Sequence, residues 1–158
     1  MHSLKLGLPF FGFYVKLSSV FKIQSFKIIK VRQIVQTDQA PAPVGPYNQA
    51  IIHNGTLYAS GQIAINPVNG ELVMDSIESE THQVMKNIGA VLKEAGATFK
   101  DILKCSVFVS DMKNYARINA VYAEYFDDDI APARELVEVA NLPKYVNIEI
   151  SVIAAIQT

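Results

Sequence analysis

The sequence predicts a single α+β domain in which one mixed sheet carries two helices on one of its faces. Three observations lead there. The chain has 158 residues, half of them hydrophobic and 18% charged, which is room for one packed core and too little for two. Two segments repeat apolar residues at helical spacing, and the rest is short β-branched or alternating runs separated by Gly, Pro and Asn turns. The resulting order, β-β-β-α-β-α-β-β, lacks the strict alternation of a doubly wound parallel fold.

Residues 28–35 are rich in β-branched side chains and read as the first strand. Ala40-Pro41-Ala42-Pro43 stops it, because proline has no N–H for a ladder. Residues 49–53 and 56–63 read as a hairpin joined at Asn54-Gly55, and Pro67-Val68-Asn69-Gly70 as a further turn. Val84, Met85, Ile88, Val91, Leu92 and Ala95 mark one amphipathic helix over residues 79–95, with Gly96 following at its C-terminal end. Thr98-x-x-Asp101 can begin a short helical turn, and residues 103–110 read as a strand.

Tyr115, Ile118, Val121, Tyr122, Tyr125 and Phe126 form the second helical stripe, whose plain reading is core packing. Asp127-Asp128-Asp129 ends it as a solvated loop, since three adjacent acids in regular structure cannot all face one ion. Residues 136–140 and 146–156 supply the last two strands. The final strand has one strongly apolar face, Val146, Ile148, Ile150, Val152, Ala154 and Ile156. The other face begins Asn147, Glu149, Ser151. Helices cover only one face of the sheet. The other also carries apolar residues, so an oligomer is its simplest cover.

Charge is unevenly spread. Lys5, Lys16, Lys22, Lys27, Lys30 and Arg32 lie in the first 37 residues, which contain no acid. The remainder holds eight basic residues against 15 acids, a net of about −7. An acidic body has no footprint for a phosphate backbone, which argues against nucleic acid as its partner. Residues 1–25 are an extension of different character. The aromatic-rich apolar run at 6–15 is too short to span a bilayer as a helix, so no membrane partner is expected. It lacks a convincing small-residue cleavage site for a secretory signal. A tail outside the fold from an upstream start, a basic transit peptide and a structural arm all remain open. The expected location is cytoplasmic, or mitochondrial if the extension is a transit peptide. The one cysteine, Cys105, sits in an apolar run and reads as a buried thiol.

His2, His53 and His82 are scattered and match no zinc spacing, and no G-x-S-x-G, phosphate loop or dinucleotide fingerprint occurs. A site built from ordinary side chains, with no metal and no cofactor, is the expectation. Two residues draw attention. Arg134 follows Pro132-Ala133 at the start of a strand, where a stiffened approach can hold a guanidinium for a two-pronged grip on a carboxylate. The alternative is an idle surface arginine. Glu149 is a carboxylate amid a strongly apolar strand. If that face is covered its pKa rises and it can act as acid or base, and otherwise it is an exposed glutamate on a wet face.

Several pieces, in order, are similar to one family: Gly45-Pro46-Tyr47-Asn48-Gln49-Ala50, Leu57-Tyr58-Ala59-Ser60-Gly61-Gln62-Ile63, Asn87, Asn119-Ala120-Val121-Tyr122 with Tyr125-Phe126, Pro132-Ala133-Arg134, Leu142-Pro143, and Glu149-Ile150 with Ile153-Ala154. Residues 26–158 thereby resemble the reactive-intermediate deaminase (Rid, or YjgF) family. The resemblance implies a chorismate-mutase-like fold and a homotrimer whose sheets close around a central barrel, with a cleft between subunits. It implies hydrolysis of 2-imino acids such as 2-iminobutanoate and 2-iminopropanoate to 2-oxo acids and ammonia, without a cofactor. It assigns Arg134 to the substrate carboxylate, Glu149 to the attacking water and Tyr47 to a place beside the ligand. Gly61, Asn119 and the backbone of Leu136 would line the cleft. The sequence departs from many members in having Glu135-Leu136 where a small residue and a cysteine often stand, which would add a negative charge near the cleft. The competing reading is a non-catalytic trimer that binds small carboxylates or other proteins.

Overall fold

The computed structural model describes residues 32–156, so the extension at 1–25 and the first residues of the expected opening strand lie outside the described part. Six strands form one sheet: β1 (Gln33–Val35), β2 (Ala50–His53), β3 (Thr56–Ala59), β4 (Ile102–Val109), β5 (Ala133–Glu138) and β6 (Ile148–Ala155). Their spatial order is β1-β2-β3-β6-β4-β5. All neighbours are antiparallel except β4 and β5, which run parallel, so the sheet is mixed. Two helices, α1 (Ile77–Glu94) and α2 (Tyr115–Ala123), pack on one face. The single mixed sheet with two helices is the architecture the sequence predicts. Among the described residues no helix is long and apolar enough to cross a membrane.

Local chemistry sets the boundaries. Asn54 and Gly55 both have positive φ, as a two-residue hairpin turn demands. α1 begins two residues earlier than its apolar stripe suggests, because Ser76 caps it. The Ser76 side chain accepts from the Ser79 amide, and the Ser79 side chain accepts from the Ser76 amide. Thr98 and Asp101 make a second capping box around the 3₁₀ turn Phe99–Asp101. α2 stops at Ala123, so Tyr125 and Phe126 fold under it from the next turn instead of extending it. β5 begins at Ala133 rather than at residue 136, because its parallel register with β4 starts at the pair Lys104 and Ala133.

The core lies between sheet and helices. From β6 it takes Ile148, Ile150, Val152 and Ala154, from β4 Cys105, Val107 and Val109, and from α1 Val84, Ile88, Val91 and Leu92. Burying each large aliphatic side chain contributes about 1.5–3 kcal/mol. Two buried polar groups tie α1 to the strands. Glu80 accepts from the Asn147 backbone N–H at 2.7 Å and from Asn147 Nδ2 at 2.8 Å, which fixes the chain just before β6. Asn87 donates to the carbonyls of Ile63 and Ile65, which fixes the chain just after β3.

The other face of the sheet is different. Ile34, Ile51, Tyr58 and Ile153 stand in register across four strands, and Lys104 follows Ile153 on β4. Phe108 and Val137 add to it further along. Ile34 and Tyr58 are each about half exposed in the single chain. Such a contiguous apolar row has no cover within the described residues.

Candidate active site

Glu149 projects from β6 on this open face, between Ile148 and Ile150, which point into the core. The carboxylate lies against the backbone of Gly61. A Cβ at that position would come within 1.7 Å of Glu149 Oε1 and 2.7 Å of Cδ. Gly61 is therefore required by close approach, and its φ is outside the left-handed region. This also explains why β3 ends at Ala59. The chain departs at Ser60-Gly61 to admit the carboxylate, then rejoins β6 through reciprocal backbone bonds between Gln62 and Ile150. Burial pushes the Glu149 carboxyl above its ordinary value. No described residue donates a hydrogen bond to it.

A cavity of about 310 Å³ opens beside Glu149, walled by Ala42, Val44, Tyr47, Ile63, Pro143 and Lys144. Buried Gln49 holds one wall in place. Its Nε2 donates to the carbonyls of Thr37, Ala40 and Pro41, and its Oε1 accepts from the Thr37 amide at 2.7 Å. Tyr47 sits at the tip of this loop. Its hydroxyl accepts from the Val44 amide, and its own amide donates to the Gly45 carbonyl, so the phenol shapes the loop as well as facing the cavity. Lys144 and Tyr145 both carry positive φ beside Pro143, a strained turn of the kind that clusters at functional sites.

Arg134 lies elsewhere. It pairs with Cys105 in the parallel register, and Cys105 faces the helices, so Arg134 does too. Its guanidinium lies 4.6 Å from the centroid of the Tyr122 ring. Nη1 donates to Asn119 Oδ1 at 2.9 Å, and Nη2 faces the Tyr115 hydroxyl at a longer 3.4 Å. Leu136 shares this face and packs on the core. Because the Val139 amide donates to Val109 on β4, alternation turns the N–H and C=O of Arg134 and Leu136 outward, to the free edge of the sheet. Those groups are available to a ligand or a partner edge.

Within one chain, then, the expected site residues form two groups. Glu149, Gly61 and Tyr47 meet around the cavity, while Arg134, Asn119 and Leu136 meet at the β5 edge on the opposite face. One small molecule cannot touch both groups of the same subunit. Glu135 points away from Arg134 onto the open face. Ser106 Oγ donates to it, and Lys104 Nζ lies 3.1 Å from it. The serine first and the lysine second hold its carboxyl below the ordinary range, so the extra negative charge expected near the cleft is matched by a lysine. Sequence reasoning treated Tyr115 and Tyr122 as core packing. Their spacing with Asn119, four and then three residues, was the available signal that all three share one helix face. No three His, Cys, Asp or Glu side chains among the described residues gather to hold a metal ion.

Comparison with known proteins agrees with this architecture. The family described as Endoribonuclease L-PSP matches residues 37–156. A RutC family protein of Synechocystis is 50% identical over 127 residues, covering 80% of this chain and 98% of that one. The 2-iminobutanoate/2-iminopropanoate deaminase of Bos taurus is 41% identical over 124 residues, covering 78% of this chain and 90% of that one. A crystal structure of a Rid family protein of unknown function from Yersinia pestis superposes with a TM-score of 0.78 at 49% identity, covering 80% of this chain and all of the other. These likenesses show that the chain belongs to the endoribonuclease L-PSP family, which includes the YjgF, RutC and Rid proteins.

Proposed function

We propose that this protein hydrolyses short 2-imino acids, such as 2-iminobutanoate and 2-iminopropanoate, to 2-oxo acids and ammonia. The observation that carries the reading is the pair of unlike groups on the two faces. One is a cation held by neutral partners at a free sheet edge, suited to a carboxylate. The other is a half-buried carboxylate of raised pKa at a small cavity, suited to moving a proton. The likeness to the bovine deaminase supports the same substrate class.

In this mechanism Arg134 fixes the substrate carboxylate with two in-plane N–H groups. Glu149 orients a water against the C=N carbon and takes its proton as the C–O bond forms. That proton passes to nitrogen to give the tetrahedral amino alcohol. Glu149 then carries the adduct's hydroxyl proton to nitrogen as the C–N bond breaks and the carbonyl forms, so that ammonia leaves and the 2-oxo acid remains. Leu136 offers backbone groups and Tyr47 confines the substrate. Imines hydrolyse readily, so general acid–base help of about 10² to 10⁴-fold, roughly 3–5 kcal/mol, is sufficient. No metal or cofactor is needed for any of these steps.

The reading requires Arg134 of one subunit to meet Glu149 of another. We therefore infer a homotrimer whose open faces, with Ile34, Tyr58 and Ile153, close on one another. Sedimentation equilibrium at micromolar concentration is expected to give about three times the 17.4 kDa chain mass. A clean monomer would remove the composite site. The activity itself is tested by coupling the protein to a threonine dehydratase and following 2-oxobutanoate in the presence of an amine trap. Faster release than without the protein is expected, and an unchanged rate would refute the reading. Arg134→Lys keeps the charge but loses the planar fork, so KM is expected to rise about tenfold or more, read from initial rates in the same assay. We infer a cytoplasmic location, or a mitochondrial one if residues 1–25 act as a transit peptide.

A further inference from the structure

We propose that Tyr122 is the positioning residue of Arg134, its ring serving as the platform that fixes the plane of the guanidinium while Asn119 and Tyr115 set its rotation. This rests on the reading of Arg134 as the carboxylate grip and goes beyond it to how the grip is held.

The argument begins with what an arginine must keep free to bind a carboxylate. A two-pronged grip uses two N–H groups in the guanidinium plane and an uncompensated positive charge. An acidic partner would fix the side chain but consume both. Among the described residues no carboxylate pairs with Arg134. Its partners are an amide oxygen, a phenol oxygen and a ring, all neutral. The ring holds the cation from its face, through the negative face of the π-system, and uses none of the in-plane donors.

The platform is itself packed in place. Tyr122 is 7% exposed, and its ring packs on Phe126 with centroids 4.6 Å apart. Tyr115, Asn119 and Tyr122 lie on one stripe of α2, so a single helix face carries the whole cradle. The Tyr122 hydroxyl makes no hydrogen bond to Arg134 and lies beside the Cys105 thiol instead. It is therefore the ring, and not the hydroxyl, that Arg134 uses.

The test compares the parent with Tyr122→Phe, Tyr122→Leu and a fluorinated phenylalanine at position 122, which keeps the ring's shape but drains its negative face. Two quantities are read. In the ligand-free protein, nuclear magnetic resonance follows the order of the Arg134 Nε–H. Calorimetry gives the Kd for 2-oxobutanoate, repeated for each variant in an Arg134→Ala background. Tyr122→Phe is expected to match the parent within about twofold, with an equally ordered Nε–H. The fluorinated ring is expected to weaken binding by about threefold or more, and Tyr122→Leu by about tenfold, with a mobile Nε–H. KM should rise in step while kcat changes less. In the Arg134→Ala background both losses should vanish, because Tyr122 then has nothing to position. Equal losses in that background would mean that Tyr122 acts by packing alone, and would overturn the proposal. So would an Nε–H as ordered in the Leu and fluorinated variants as in the parent. If Tyr122→Leu does not fold, the fluorinated variant decides. If the parent binds no 2-oxobutanoate, the reading of Arg134 as a carboxylate grip fails, and the resonance measurement alone decides whether Tyr122 positions it.

Discussion

Glu149→Gln is expected to lower kcat for imine hydrolysis by about 10² or more, while binding of 2-oxobutanoate stays within about twofold of the parent. Glutamine matches the shape of glutamate and can still direct a water, but it cannot accept and return a proton. The pH dependence sharpens the expectation. Burial raises the Glu149 carboxyl, so the parent's kcat/KM should fall as pH drops through a value above the ordinary carboxylate range, and the residual rate of the Gln variant should lack that limb. The stability effect has the opposite sign. A carboxyl with a raised folded pKa binds its proton more tightly in the folded chain than in the unfolded one. Its contribution to stability therefore declines as pH rises from the unfolded value through the folded one. At pH 7 the Gln variant should melt no lower than the parent, and below about pH 4, where both forms are neutral, the two should converge. Loss of kcat without loss of melting temperature is the signature of an acid–base group. A Gln variant with parental kcat would show that Glu149 is not the acid–base group.

The fold was legible because its signals are local. Asn54-Gly55 announces the hairpin, the 84–95 stripe announces α1, and alternation from Ile148 to Ala154 announces a strand with one buried face. Boundaries were less legible where a tertiary demand decides them. β3 ends at Ala59 because Glu149, ninety residues later, needs the space beside Gly61. β5 starts at Ala133 because a parallel partner sets its register, and Arg134 and Glu135 do not look like strand residues. The site was legible as a set of residue types and illegible as an arrangement. Nothing in the spacing of Arg134 and Glu149 says that they face opposite ways, since that depends on pairing through β4 and β6. The second helical stripe shows the same limit from the other side. Periodicity reports which residues share a face, and Tyr122 is indeed buried, but only the position of β5 shows that Arg134 lies over its ring.

Gly61→Ala is expected to lower kcat/KM by about 10 to 10²-fold while the fold and most of the stability survive. The added Cβ would stand 1.7 Å from Glu149 Oε1, well inside contact distance, so one of the two must move. The Gly61 backbone is tied to β6 through its neighbour Gln62, whereas the Glu149 carboxylate is the free end of a flexible side chain with no described donor holding it. The carboxylate gives way. A displacement of an ångström or more of an acid–base group is enough to cost about 10²-fold in rate. Because Gly61 lies outside the left-handed region, alanine adds no backbone strain there, and it narrows the unfolded ensemble by about 0.4–1 kcal/mol. The melting temperature should therefore fall little. A second variant isolates the cause. In a Glu149→Ala background the collision is gone, so adding Gly61→Ala should cost no further activity and should raise the melting temperature by a few degrees. If Gly61→Ala is as damaging to activity in that background as in the parent, the glycine serves something other than the carboxylate, and the close approach of Glu149 to Gly61 is not what shapes this site.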